Sequence, residues 1–150
     1  MSYEHTQKGK LHLILYLGAL FLLVFAMLAE PYVVSTCGLY IAALICLLLG
    51  LSVNTLTVKD NGNSLRIISG PIPIFRKDIP YSEIKDIKIS RSNILNGWGM
   101  HYSIGKGWII NIWGFDCISL RIGKKKFRIG TDDKEGLFEF LKQKNEKNSA

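Results

Sequence analysis

Two long apolar runs separated by two residues restrict this chain more than anything else in it. From Leu11 to Ala29 it reads LHLILYLGALFLLVFAMLA, with His12 the one strongly polar residue; from Tyr32 to Val53 it reads YVVSTCGLYIAALICLLLGLSV, without a charge. Only Glu30 and Pro31 stand between them. At about 1.5 Å of rise per residue, helices of roughly 20 residues match the ~30 Å hydrocarbon core of a bilayer. The pattern therefore predicts a transmembrane helical hairpin over residues 11–53, turning at Glu30 and Pro31. Pro31 suits a turn or a first helical position, where its missing N–H costs nothing. A secretory signal would also follow basic residues such as Lys8 and Lys10, but its apolar core is shorter, about 7–15 residues. Gly38, Ala42, Cys46 and Gly50 recur every four residues, and Gly18 and Ala26 offer small positions opposite. Small residues let helix backbones approach closely, so this stripe predicts the packing seam.

Charge sets the expected orientation. Lys8 and Lys10 precede the first run, Lys59, Arg66, Arg76 and Lys77 follow the second, and the connection carries only an acid. The positive-inside bias then puts both termini in the cytoplasm of a multi-pass membrane protein, with residues 1–10 a cytoplasmic tail. Cys37 and Cys46 fall in the spans and Cys117 far beyond them, which offers neither a disulfide framework nor metal-ligand spacing.

From Asn54 onward the chain holds 17 Lys and Arg against 10 Asp and Glu, so this part carries the whole net charge of +7. Period-two alternation marks strands around Leu56 and Val58, Leu65 and Ile67, Ile87 and Ile89, Ile118 to Ile122, and Phe127 and Ile129. DNGN at Asp60–Asn63 and Gly123-Lys124 read as turns. In GWGMHYSIGKGWIINIWG, Trp98, Met100, Tyr102 and Ile104 share one face, Gly105-Lys106-Gly107 turns the chain, and Trp108, Ile110 and Ile112 resume the apolar face. This predicts an aromatic hairpin with Trp98 and Trp108 in the core. In TDDKEGLFEFLKQK, Asp132 and Glu135 have capping-box spacing, with Asp133 beside them, and Leu137, Phe138 and Leu141 follow at helical spacing. The expectation is about seven antiparallel strands over residues 54–144 closed by a C-terminal helix, then a polar, frayed tail over residues 145–150.

IPYSEIKDIKI, GWG, GKGW and FRIGTDD, in that order and followed by a capping helix, resemble bacterial pleckstrin-homology-like domains, several of which follow a two-helix membrane anchor. The resemblance covers Asn54 to Lys144 and, with the anchor, nearly the whole chain. It implies a membrane-anchored α+β protein: a strongly bent antiparallel β-barrel or sandwich with a helix closing one end. Relatives that read phosphoinositides carry a basic motif around the first hairpin. Here that hairpin is KDNGNSLR, polar and acidic at its turn, so specific phosphoinositide recognition is not expected.

No catalytic constellation emerges. A phosphate-cradling Walker loop needs four residues between its first Gly and the Gly-Lys, then Ser or Thr; here five residues follow Gly99 and Gly107 follows Lys106. Ser82-x-x-Lys85 and Ser103-x-x-Lys106 lack the companion motifs of serine acylases. His5, His12 and His101 are scattered, and capping accounts for Asp132 and Asp133. No cofactor, metal or small-molecule substrate is called for, and the lysines lack the interleaved aromatics of a nucleic-acid platform. The densest positive charge, Lys124, Lys125, Lys126 and Arg128, is the candidate contact for anionic lipid or for a partner. The expected function is a non-catalytic scaffold that binds a protein partner or its own copies, with anionic-headgroup binding as the alternative.

Overall fold

The computed structural model describes residues 2–29, 33–71, 75–92, 99–103, 105 and 107–149. The expected turn at Glu30 and Pro31, and Trp98, Ile104 and Lys106 of the expected hairpin, lie outside the described residues. The architecture is α+β: two helices stand before two sheets, and a third helix follows them. Strand β1 (Glu4–Lys8) opens the chain, then helices α1 (Leu11–Leu28) and α2 (Val33–Ser52). Strands β2 (Thr55–Asp60), β3 (Ser64–Ser69) and β4 (Phe75–Pro80) follow, then a 3-10 turn at Tyr81–Glu83 and β5 (Ile84–Arg91). Next come β6 (Gly99–Ser103), β7 (Gly107–Asn111), β8 (Asp116–Ile122), β9 (Lys125–Gly130) and α3 (Lys134–Ser149).

The first sheet has the order β1-β2-β3-β4 and the second β5-β8-β9-β7-β6. Over residues 54–144 eight strands form among the described residues, close to the seven or so expected, and β1 adds a ninth from before the helices. Two expectations are corrected here. The pairing is not wholly antiparallel, because β7 runs parallel to β9, with Trp108 opposite Phe127 and Ile110 opposite Ile129. No barrel closes: among the described residues the two sheets share no ladder. They share one core instead, with Leu56, Val58, Leu65, Ile67 and Ile79 from the first sheet meeting Ile84, Ile110, Ile118, Leu120, Phe127 and Ile129 from the second. Leu137, Phe140 and Leu141 of α3 enter the same core, at the three- and four-residue spacing that keeps them on one helix face.

The ends of the chain also differ from expectation. Residues 4–8 form a strand rather than a tail, paired antiparallel with β2 from Glu4 opposite Lys59 to Lys8 opposite Thr55. Helix α3 continues to Ser149, past the expected fraying point. Its cap is Asp133, one residue later than the capping box suggested: the Gly136 N–H donates to Asp133 Oδ1 at 3.1 Å. A Cβ at Gly136 would crowd that carboxylate as it now stands. Asp132 is freed to pair with His5 Nε2 at 2.5 Å, and the Tyr3 hydroxyl donates to Asp133 Oδ2 at 3.1 Å. So β1 is tied both to a sheet and to the start of α3.

Helix α1 is long and apolar enough to cross a membrane, by length and composition. Its Leu17, Phe21, Met27 and Leu28 are exposed, as are Ile41, Leu44 and Ile45 of α2, an apolar surface unlike that of a core helix. Where the two helices pack, Ala19 and Ala26 of α1 and Thr36, Ala43 and Gly50 of α2 are buried. These recur every seven residues, the period of a left-handed helix pair, rather than every four as the sequence suggested. A side chain at Gly18 or Gly38 would meet nothing within 4 Å among the described residues, whereas Gly50 lies so close to the Tyr16 ring that a side chain there would collide with it.

Candidate functional site

The strands leaving the helical pair set the axis along which the charged residues are arranged. At the root, the Gly9 N–H donates to the Asn54 carbonyl at 2.9 Å, Ser69 Oγ to the Ser52 carbonyl at 2.6 Å, and Gln7 Nε2 to the Trp113 carbonyl at 2.8 Å. Ile112 lies against Gly9. Asn111 fixes the bend that follows β7: its Nδ2 donates to the Gly114 carbonyl at 2.9 Å and its Oδ1 accepts the Trp113 N–H at 3.2 Å. The Asn111 end of β7 is therefore the end beside the helices, and the Gly107 end is remote. Parallel β9 runs the same way, so the Lys124 turn and Lys125 sit at the remote end and Gly130 near the root. With about 3.3 Å per residue, β9 alone separates the two ends by roughly 17 Å.

At that remote end Tyr102, Gly105, Gly107, Lys124, Lys125 and Lys126 line an open cleft of about 200 Å³. Tyr102 and Trp108 are register partners on β6 and β7, their rings edge-to-face with centroids 5.8 Å apart. They are not core residues. Tyr102 is 61% exposed, Met100 42% and Trp108 39%, which overturns the expectation for Trp108. The alternation placed Met100, Tyr102, Trp108 and Ile110 on one face correctly; the error was in how far the core reaches. Coverage falls off across the sheet toward its β6 edge: Ile110 is buried while its β6 partner Met100 is exposed, and Trp108 is exposed while its β9 partner Phe127 is buried, with Lys77 of β4 over that ring at 5.0 Å from its centroid.

The expected contact residues are divided by the pleat. Lys125 alternates with buried Phe127 and Ile129, while Lys126 and Arg128 point to the opposite surface of the sheet. Lys124 occupies the turn after Gly123, whose φ of +57° suits glycine. Lys124 and Lys125 line the aromatic cleft, Lys126 lines it too although its place in the pleat is on the opposite surface, and Arg128 is turned away from it. Arg66, Arg76, Arg121, Lys134 and Lys144, by contrast, are matched by acids. Arg66 holds Asp78 through two hydrogen bonds of 2.7 and 3.2 Å, and Arg76 lies 3.6 Å from the same carboxylate. The bond from Arg66 keeps the Asp78 carboxyl below its usual range. Among the described residues Lys124, Lys125 and Lys126 have no carboxylate partner.

Among the described residues no group of His, Cys, Asp and Glu could hold a metal ion. Cys117 is buried and burial pushes its thiol up, against a hydrogen bond with Ser90, so it is not an activated nucleophile. Tyr102 and Trp108 are the functional candidates that sequence reasoning missed; the available signal was the glycine-rich stretch between their strands. Comparison with family models, with curated proteins and with solved structures finds no match for this chain.

Proposed function

We propose that this chain is a multi-pass membrane protein whose pleckstrin-homology-like domain is a non-catalytic interaction module for an acidic protein partner. The supporting observation is the position of the aromatic–lysine cleft, at the opposite end of the strands from the apolar helices. Aromatic side chains beside unpaired cations favour a partner that brings apolar and acidic groups together. Self-assembly through this face is disfavoured, because two copies would oppose the same lysines.

The α1–α2 pair is the anchor in this reading. Its exposed apolar surface calls for lipid, and the β1–β2 ladder holds the two outer ends of the helical pair side by side. Whatever α1 crosses, α2 must cross back. Binding of the cleft to the lipid of its own membrane is the weaker alternative. A separation of roughly 17 Å exceeds the Debye length of about 8 Å at physiological salt, so little attraction would survive.

A photoreactive amino acid in place of Tyr102 in the full chain, irradiated in intact membranes, tests the reading. A single protein adduct is expected, lost when Lys124 and Lys125 are both changed to Glu and restored by a compensating acid-to-base change in the partner. Crosslinking to lipid alone, unaffected by those substitutions, would overturn it.

A further inference from the structure

The outer surface of the second sheet stacks like charges against one another. Lys85 of β5 is the register partner of Arg121 of β8, and Arg121 is the partner of Lys126 of β9. One row nearer the root, Lys88 faces Ser119 and Ser119 faces Arg128. Direct cross-strand partners sit on the same face with Cβ atoms about 4.5–5.5 Å apart, and like charges there are destabilising. A face built only for solubility would intersperse the two signs.

The same residues form a concavity. Lys88, Ser119, Arg121, Lys126 and Arg128, with Asp86 and Leu120, line a hollow of about 300 Å³, four cations against one carboxylate. Asp86 occupies the bulge that shifts the β5–β8 register between Lys85 and Lys88, at a φ of +50°. Its carboxylate pairs with Arg121, and both line the hollow. Bulges of this kind re-aim side chains beside functional sites. Arg128 Nε is buried with no hydrogen-bond partner, and a buried donor left unpaired is costly, more so on a charged group. Folding alone gives no reason to keep both the repulsion and the unpaired donor.

We propose that this hollow binds a phosphate dianion, the phosphate group of a soluble phosphate ester. Its oxygens accept from the forked guanidinium donors of Arg121 and Arg128 and from the Ser119 hydroxyl, and its charge relieves the Lys85–Arg121–Lys126 row. A carboxylate, with one charge and two oxygens, would leave most of these donors unmatched. A lipid headgroup offers the same chemistry, but the most basic row lies at the end of the sheet remote from the helices. Lys126 lines both this hollow and the aromatic cleft, whereas Lys88, Ser119, Arg121 and Arg128 line this hollow and not the cleft, so Arg128→Gln and Lys88→Gln test it separately from the cleft.

The test uses the full chain in phosphatidylcholine nanodiscs, titrated with inorganic phosphate against chloride at constant ionic strength. Phosphorus-31 line broadening and melting temperature are the readouts. Saturable broadening is expected, weakened at least tenfold by Arg128→Gln and by Lys126→Gln, and unchanged by Lys142→Gln on α3. Without phosphate, Lys126→Gln should melt about 1–3 °C higher, because it removes a like-charge pair. A merely structural lysine would not show that inversion. Should Arg128→Gln not fold, Lys88→Gln carries the same expectation. Broadening that does not saturate, or that Lys126→Gln and Lys88→Gln leave intact, overturns the site. Discs containing phosphatidic acid should leave the phosphate affinity unchanged; competition by that lipid would overturn the soluble source.

Discussion

At Gly107 the backbone adopts a φ of +81°, and a Cβ there would fall within contact distance of the Lys126 carbonyl. Both facts follow from the parallel ladder: β7 begins where β9 lies alongside, with no room for a side chain between them. Gly107→Ala should therefore destabilise the domain by on the order of 3 kcal/mol, from left-handed strain and the collision together. The neighbouring Trp108→Ala should cost about 1 kcal/mol or less, since much of the ring already meets solvent. Denaturant melts of the full chain in detergent would measure both, and a Trp108 effect larger than that of Gly107 would contradict this account. The glycine was legible as a turn residue in the sequence. Its second role was not, because the carbonyl it faces comes from a strand in a different hairpin.

Among the elements, α3 shows how a helix is locked to a sheet by a single charged group. Lys144 Nζ lies 2.7 Å from Asp60 Oδ2 and over the Tyr81 and Phe140 rings, and the Tyr81 hydroxyl donates to Asp60 Oδ1 at 2.8 Å. Burial alone would raise the Asp60 carboxyl, but the bonds from Lys144 and Tyr81 outweigh it and hold the group below its ordinary value. A carboxyl depressed in the folded state contributes stability above its unfolded pKa of about 4, and loses it as pH falls through the lower folded value. Melting temperature should drop between about pH 5 and pH 3, and Asp60→Asn should flatten that slope; an unchanged slope would remove Asp60 from the cause. Elements of this kind were readable where the pattern is local: Leu56, Val58, Leu65 and Ile67 alternate as buried strand residues should, and Leu137 and Leu141 keep helical spacing. Reading failed where a partner decides. Ile89 alternates as well as any core residue yet is 47% exposed, because β5 is an edge strand. The seven-residue helix seam and the pairing of β7 with β9 depend on contacts between distant segments, which periodicity within one segment does not encode.

For the whole molecule, the pairing of β1 with β2 makes orientation testable. If the helices cross together, Glu4→Cys and Asn145→Cys should be protected from an impermeant thiol reagent in sealed cells, in a background without the native cysteines. Ala29→Cys, at the far end of α1, should be labelled. Labelling of Glu4→Cys from outside would break the proposed topology. The same ladder has a consequence in time. Lys8 leaves the ribosome long before Thr55, its partner, and at about 5–20 residues per second the interval is several seconds. Throughout it, β1 has no strand to pair with. On the proposed topology it would be captured only after both apolar segments had been threaded and the following chain had returned to the compartment where translation began. Closure of the first sheet would then act as a proofreading step on insertion: a copy with one segment left behind would keep β1 and β2 on opposite sides and present a bare β2 edge.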